Sequence, residues 1–382
     1  MQYRRFPLID DVEVSALGLG CMRLPVQGGE DAAIDQAALD AMLAAAGEAG
    51  INYLDTAYVY HRQASEKALG AALARSGKRD EFYLATKSPV WMVKERSDWD
   101  RFLDEQLERL GTDHIDFYLL HGLGSERWAR IVELGALPAL ERAKASGRIR
   151  HIGFSFHDSL ESFKRIIDGY DGWEFCQIQF NYIDRSFQAG EEGLAYAAER
   201  ELGVVVMEPL RGGALASPPP QVLKALGAYP TPRLPYEWAL RFALDRQEVS
   251  LVLSGMGNAN QVWENAAVAS SAPANSLTRD ERAILDEARR IYRERERVPC
   301  TTCGYCQPCP RGLPIPELFG LYNAASMFDA RKGSAHWYKS AYLSAGRGAD
   351  SCAGCGECLT KCPQGIAIPD RLADTHAYLT AD

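Results

Sequence analysis

Eight of the ten cysteines in this 382-residue chain fall in two short runs near its end. One run is Cys300, Cys303, Cys306 and Cys309 before Pro310; the other is Cys352, Cys355, Cys358 and Cys362 before Pro363. Thiolates at every third position can converge on one centre, and soft sulfur donors suit iron–sulfur clusters and zinc. Zinc needs only paired C-x2-C units, whereas a third cysteine at the same spacing and a Cys-Pro ending favour two 4Fe-4S clusters. Disulfides and two four-cysteine zinc sites are the alternatives. A second candidate set, Asp55, Tyr60, Lys87 and His121, brings together a carboxylate, a phenol, an ammonium and an imidazole. Those are the parts of a positioned proton donor. Reducing a carbonyl needs a hydride at carbon and an acid for the oxygen as it becomes an alkoxide. Tyr60 suits the acid. Lys87 is expected to lower its pKa by stabilising the phenolate, Asp55 to hold Lys87, and His121 to orient the substrate oxygen.

The second cysteine run resembles the pattern of bacterial two-cluster ferredoxins, and the first is one residue short before Cys309. In those proteins the cysteine before proline turns to the other cube. The resemblance therefore implies crossed ligation, with Cys362 joining Cys300, Cys303 and Cys306, and Cys309 joining Cys352, Cys355 and Cys358.

The elements that must position these residues are legible from period. Strand-like runs occur near residues 15–20, 52–57, 81–87, 115–121, 149–155, 175–181, 203–209 and 251–256, with amphipathic stretches between them. Eight strands alternating with helices imply an α/β fold, a (β/α)8 TIM barrel, rather than a doubly wound sheet. A dinucleotide fingerprint would need G-x-G-x-x-G, which Gly18-Leu19-Gly20-Cys21-Met22-Arg23 does not complete. Chemistry is then expected at the C-terminal strand ends.

Those ends carry a second resemblance. Asp55-Thr56-Ala57-Tyr58-Val59-Tyr60, Ala85-Thr86-Lys87, Tyr118-Leu119-Leu120-His121 and Pro209-Leu210-Arg211-Gly212-Gly213 resemble the aldo/keto reductase superfamily, over roughly residues 5–275. With the cysteine runs, the chain is similar to the branch carrying a C-terminal ferredoxin-like domain. The resemblance implies that Ser155 and Gln177 face a nicotinamide carboxamide near Met207. It implies further cofactor contacts from Gly20, Met22, Pro209, Leu210, Gly212, Ser254, Gly255, Met256, Asn258, Gln261 and Asn265. Two departures stand out: Phe156 replaces the usual asparagine, and Met207 an aromatic that often stacks on the ring. In NADP-preferring members basic residues lie where this chain has Gly255 and Gln261. Residues 251–278 contain no Lys or Arg, so NAD(H) is expected over NADP(H).

The expected organisation is a barrel over residues 1–280, a solvated, charged linker helix over 281–297, and a small, mainly helical ferredoxin-like iron–sulfur domain over 298–382. Segments 315–328 and 334–346 are expected to be helices that cover the clusters or fill core, and SPPPQ at 217–221 a loop. A net charge of −9 argues against nucleic acid. The start lacks a signal-peptide core and no long apolar run could span a membrane, so a soluble, cytoplasmic protein is expected. Cys21 and Cys176 read as buried small hydrophobes. The expected enzyme is a nicotinamide-dependent oxidoreductase of a small carbonyl or alcohol, with clusters for electron transfer or structure and scope for an electron-transfer protein partner. Because hydride carries two electrons and a cluster one, a barrel-bound flavin linking the clusters to an organic substrate is a rival. A non-enzymatic redox-sensing subunit is a third reading. It has no need of the proton donor.

Overall fold

The computed structural model describes residues 1–302 and 304–381. Two strands, β1 (Tyr3–Phe6) and β2 (Ile9–Ser15), open the chain as an antiparallel hairpin. The next eight close into a parallel barrel in chain order: β3 (Leu17–Gly20), β4 (Tyr53–Asp55), β5 (Tyr83–Ser88), β6 (Ile115–Leu123), β7 (Ile149–Phe156), β8 (Phe175–Gln179), β9 (Gly203–Met207) and β10 (Val249–Ser254). β10 returns to pair with β3. The strands read as Val-, Ile- and Leu-rich runs because helices cover their outer faces and side chains fill the interior.

The hairpin has no counterpart among the expected strands. Charged Arg4, Arg5 and Glu13 break its apolar runs, yet Phe6, Ile9 and Val14 turn inward and are buried. They join Tyr53, Phe117, Phe175 and Leu251 in one core, with the Phe6 and Phe117 rings 5.0 Å apart. Burying each of these side chains contributes roughly 1.5–3 kcal/mol. Gly203 makes room: a Cβ there would come 1.9 Å from Phe6, which no packing tolerates.

The chain divides into two units, Met1–Ala216 with Leu234–Thr278, and Ser217–Arg233 with Arg279–Asp382. The second thus takes an excursion, residues 217–233, that sequence reading left in the barrel. SPPPQ does not remain a loop throughout. Pro220 opens the helix Pro220–Leu226, where a missing N–H costs nothing. The helix Arg279–Glu294 is not a solvated linker either. Its Glu281, Leu285, Ala288 and Tyr292 share one buried face at helical spacing, and Tyr292 packs on Phe328 with centroids 4.9 Å apart. Glu281 is paired with Arg233.

Among its described residues the second unit contains helices and no strands. The helices Ile315–Met327, Arg331–Trp337 and Ile368–Thr380 surround Val298, Leu318, Phe319, Tyr338, Ile366 and Leu372. Asn323 fixes the entry to the first cysteine run by accepting from the Arg297 and Val298 N–H groups and donating to Val298 O. Among the described residues no helix is long and apolar enough to cross a membrane.

Candidate active site and cluster cysteines

Three strand ends and one turn bring Asp55, Tyr60, Lys87 and His121 to a cavity of about 250 Å³ at the barrel mouth. Asp55 ends β4 and Lys87 is the penultimate residue of β5. Lys87 Nζ donates to both Asp55 carboxylate oxygens, at 2.7 and 2.8 Å, and to Thr56 O at 2.8 Å. All three ammonium protons are thereby directed. Behind it, Gln106 donates to Lys87 O and Glu66 and accepts from Tyr118, so a buried polar network holds the strand end. Burial opposes the Lys87 charge, but Asp55 and Tyr60 together outweigh it and raise its pKa.

Tyr60 sits in the turn after β4, with its ring centroid 5.0 Å from Lys87 Nζ. Burial raises its pKa, and the opposing pull of Lys87 does not overcome it. The expected lowering is therefore corrected: Lys87 acts in that direction, but low-dielectric surroundings and the Asp55 carboxylate prevail. The three residues after Tyr60 are all left-handed, with φ of 51° at His61, 50° at Arg62 and 73° at Gln63. His61 pins this turn: its Nε2 accepts from Leu24 N–H at 3.1 Å and its Nδ1 lies 2.8 Å from Asp31 O.

His121 lies where the β6–β7 register breaks, between Leu120 and Leu123. That irregularity re-aims its imidazole into the mouth. Gly122, at φ 61°, supplies the left-handed step, and Ser155 Oγ accepts its N–H at 2.8 Å. Burial, then Lys87, His157 and Arg127, hold the His121 pKa well below its ordinary value. The ring lies 6.1 Å from Tyr60 and 5.0 Å from Trp91, over which Arg127 sits at 5.2 Å.

The expected cofactor contacts divide. Gly20, Met22, Ser155, Gln177, Met207, Pro209, Leu210, Gly212, Ser254 and Gly255 line the cavity. Met256 is buried in the core; Asn265 instead donates to Ser254 Oγ. Asn258 caps the helix Ala259–Ser271 by accepting from Gln261 N–H, and the Gln261 side chain accepts from Gly257 N–H. Phe156 turns away and packs on Phe163 with centroids 5.0 Å apart. Gln177 Nε2 faces the Met207 sulfur at 3.8 Å, while its Oε1 is buried without a hydrogen-bond partner. A buried acceptor with no donor calls for one. A carboxamide N–H₂ fits it.

Sequence reading passed over Arg23, Glu208, Gly213 and His157, which also line the mouth. Arg23 was visible directly after Met22. Cys21 and Cys176 are buried and their thiol pKa values are raised by burial, as befits small core residues.

In the second unit Cys300, Cys306 and Cys362 line one recess with Ile315, Phe319, Ile366 and Ile368. Cys309, Cys352, Cys355 and Cys358 line another, which Cys306 also borders. Cys303 lies outside the described residues. Cys362 thus lies with Cys300, and Cys309 with Cys352, Cys355 and Cys358, while Cys306 borders both recesses. The second quartet is close enough for its charges to interact: burial and then Cys352, Cys355 and Cys309 raise the Cys358 pKa. No disulfide joins the described cysteines. Sulfur donors walled by aliphatic and aromatic side chains fit iron–sulfur cubes.

Known proteins bear on both units. A model of the aldo/keto reductase family matches residues 16–290, and one of the 4Fe-4S dicluster domain matches residues 299–367. The oxidoreductase YqkF of Bacillus subtilis is 28% identical over 310 residues, 71% of this chain and 91% of its own length. The aldo-keto reductase yakc of Schizosaccharomyces pombe, whose name specifies NADP(+), is 28% identical over 57% of this chain and 62% of its own. The holo structure of aldo-keto reductase AKR11C1 from Bacillus halodurans superposes with a TM-score of 0.62 at 28% identity, over 75% of this chain and 96% of that one. The expected NAD(H) preference is not supported. One relative is named for NADP(+), and Arg23 brings a cation to the segment whose own sequence lacks one. These likenesses add no support for a flavin.

Proposed function

The chain belongs to the aldo/keto reductase family, and from that premise we propose that its barrel reduces a carbonyl compound, or oxidises the matching alcohol, with a nicotinamide dinucleotide. The second unit, matched as a 4Fe-4S dicluster domain, holds two such clusters in this reading, with Cys300, Cys303, Cys306 and Cys362 on one and Cys309, Cys352, Cys355 and Cys358 on the other. Such clusters can carry single electrons, which supports electron transfer as the role of this unit in the same reading.

The observation that carries the enzymatic reading is the buried Lys87–Asp55 pair beside Tyr60, facing His121 in one cavity. Gln177 Oε1 and Ser155 would hold the carboxamide, and the loops after β9 and β10 the phosphates. A reduced nicotinamide, when bound, supplies a hydride to the carbonyl carbon. His121, neutral because its pKa is low, has one N–H to orient the carbonyl oxygen. Tyr60 gives that oxygen its phenolic proton. An alkoxide is far more basic than a phenolate, so even a phenol with a raised pKa yields its proton at that moment. Lys87, fixed by Asp55, stabilises the phenolate left behind.

Tyr60→Phe keeps the ring and removes the proton. Steady-state carbonyl reduction should fall by about 10²- to 10⁴-fold while dinucleotide affinity is kept. Near-normal turnover would move the acid elsewhere and defeat this assignment.

A further inference from the structure

Arg23 follows β3, yet its side chain crosses to the loops after the last two barrel strands. A Cβ built on Gly255 would lie 3.3 Å from Arg23 Cδ and 3.5 Å from its Cβ and Cγ. One built on Gly212 would lie 3.0 Å from a terminal guanidinium nitrogen. The two glycines therefore leave the space that the arginine stem and head occupy. Gly212 and Gly213 are also left-handed, at φ 66° and 94°, so this loop holds backbone conformations that favour glycine.

Charge accounting singles out the same residue. Residues 251–278 carry no Lys or Arg. Arg211, next to Gly212, is committed to Asp184, with Nε 2.9 Å from Oδ2. Lys87 is committed to Asp55. Among the described residues lining the cavity, Arg23 is the arginine or lysine with no ion pair, and it is exposed at the mouth. Loops after the seventh and eighth strands of such barrels are where phosphate groups often bind, and a guanidinium offers them a bidentate fork.

We propose that Arg23 is the phosphate-binding cation of the dinucleotide site, supplied from the first strand end in place of a basic residue after the last. This rests on the nicotinamide reading above. The test is equilibrium binding of NADPH and NADH, by quenching of protein fluorescence at fixed salt and without carbonyl substrate. Arg23→Met keeps an unbranched stem over Gly255 and should weaken binding by about tenfold, the loss of one charge-assisted contact. Arg23→Lys should recover part of it, and the salt dependence of the Met variant should be shallower. Loss for both dinucleotides identifies the shared diphosphate; loss for NADPH alone identifies the 2′-phosphate. Unchanged affinity for both overturns the proposal. If the unmodified protein binds neither, the nicotinamide reading falls and takes this one with it.

Discussion

Asp55→Asn tests whether the mouth is organised around a charged pair or only around shape. Lys87 is 1% exposed and Asp55 3%, so neither can turn to water. The asparagine keeps the volume and one acceptor oxygen but sets an N–H₂ group against an ammonium that is still buried. Removing one partner of a buried pair costs about 3–5 kcal/mol, because the other charge remains uncompensated. For a unit of this size each kcal/mol lowers the midpoint by about 2–4 °C, so a fall of about 6–20 °C is expected. Asp55→Asn with Lys87→Met removes both charges, and the pair should be less destabilised than the sum of the two single variants by at least about 0.5 kcal/mol. Near-UV circular dichroism of anaerobically prepared protein follows the barrel transition. A single variant within about 0.5 kcal/mol of the parent, or strict additivity in the double, would refute the reasoning.

Two further outcomes follow from the geometry. Cys362→Ser should reduce iron content and the broad absorption near about 400 nm by damaging the cluster of Cys300, Cys303 and Cys306; loss confined to the cluster of Cys352, Cys355 and Cys358 would show uncrossed ligation. His121 has a folded-state pKa well below its unfolded value of about 6.5, so folding resists its protonation. Its contribution is fully present above about pH 6.5 and is lost as pH falls from there toward the folded pKa, with a limiting slope of about 1.4 kcal/mol per pH unit. Denaturant titrations from pH 7 to 5 should show a shallower slope for His121→Gln, and an unchanged slope would contradict the burial of a neutral ring.

The barrel was legible because its strands are short apolar runs, several rich in Val and Ile, each followed by a helix, and the candidate set because its members lie at or just after successive strand ends. The hairpin β1–β2 was hidden by the adjacent arginines, Arg4 and Arg5, that leave β1 without an apolar alternation. The buried stripe of Glu281, Leu285, Ala288 and Tyr292 was obscured by the charges around it, although its spacing alone marks an amphipathic face. Two site properties lie beyond local pattern. The net direction of the Tyr60 pKa depends on how burial weighs against Lys87, which only packing decides. The reach of Arg23 to Gly255 spans the closure of the barrel, which makes the first and last strands neighbours. The eight cysteines, by contrast, announce their chemistry through spacing; the recesses add that Cys362 lies with Cys300, and Cys309 with Cys352, Cys355 and Cys358.

The left-handed stretch from His61 to Gln63 gives Tyr60, the proposed proton donor, a sprung mounting. Residues with a Cβ enter that region at a cost of about 1–2 kcal/mol each, so the turn is held loaded by the bonds of His61 to Leu24 and Asp31. A loaded joint has little slack. The residue that carries the proposed acid is thereby joined to a turn with a fixed path, for which the fold gives up some of its own stability.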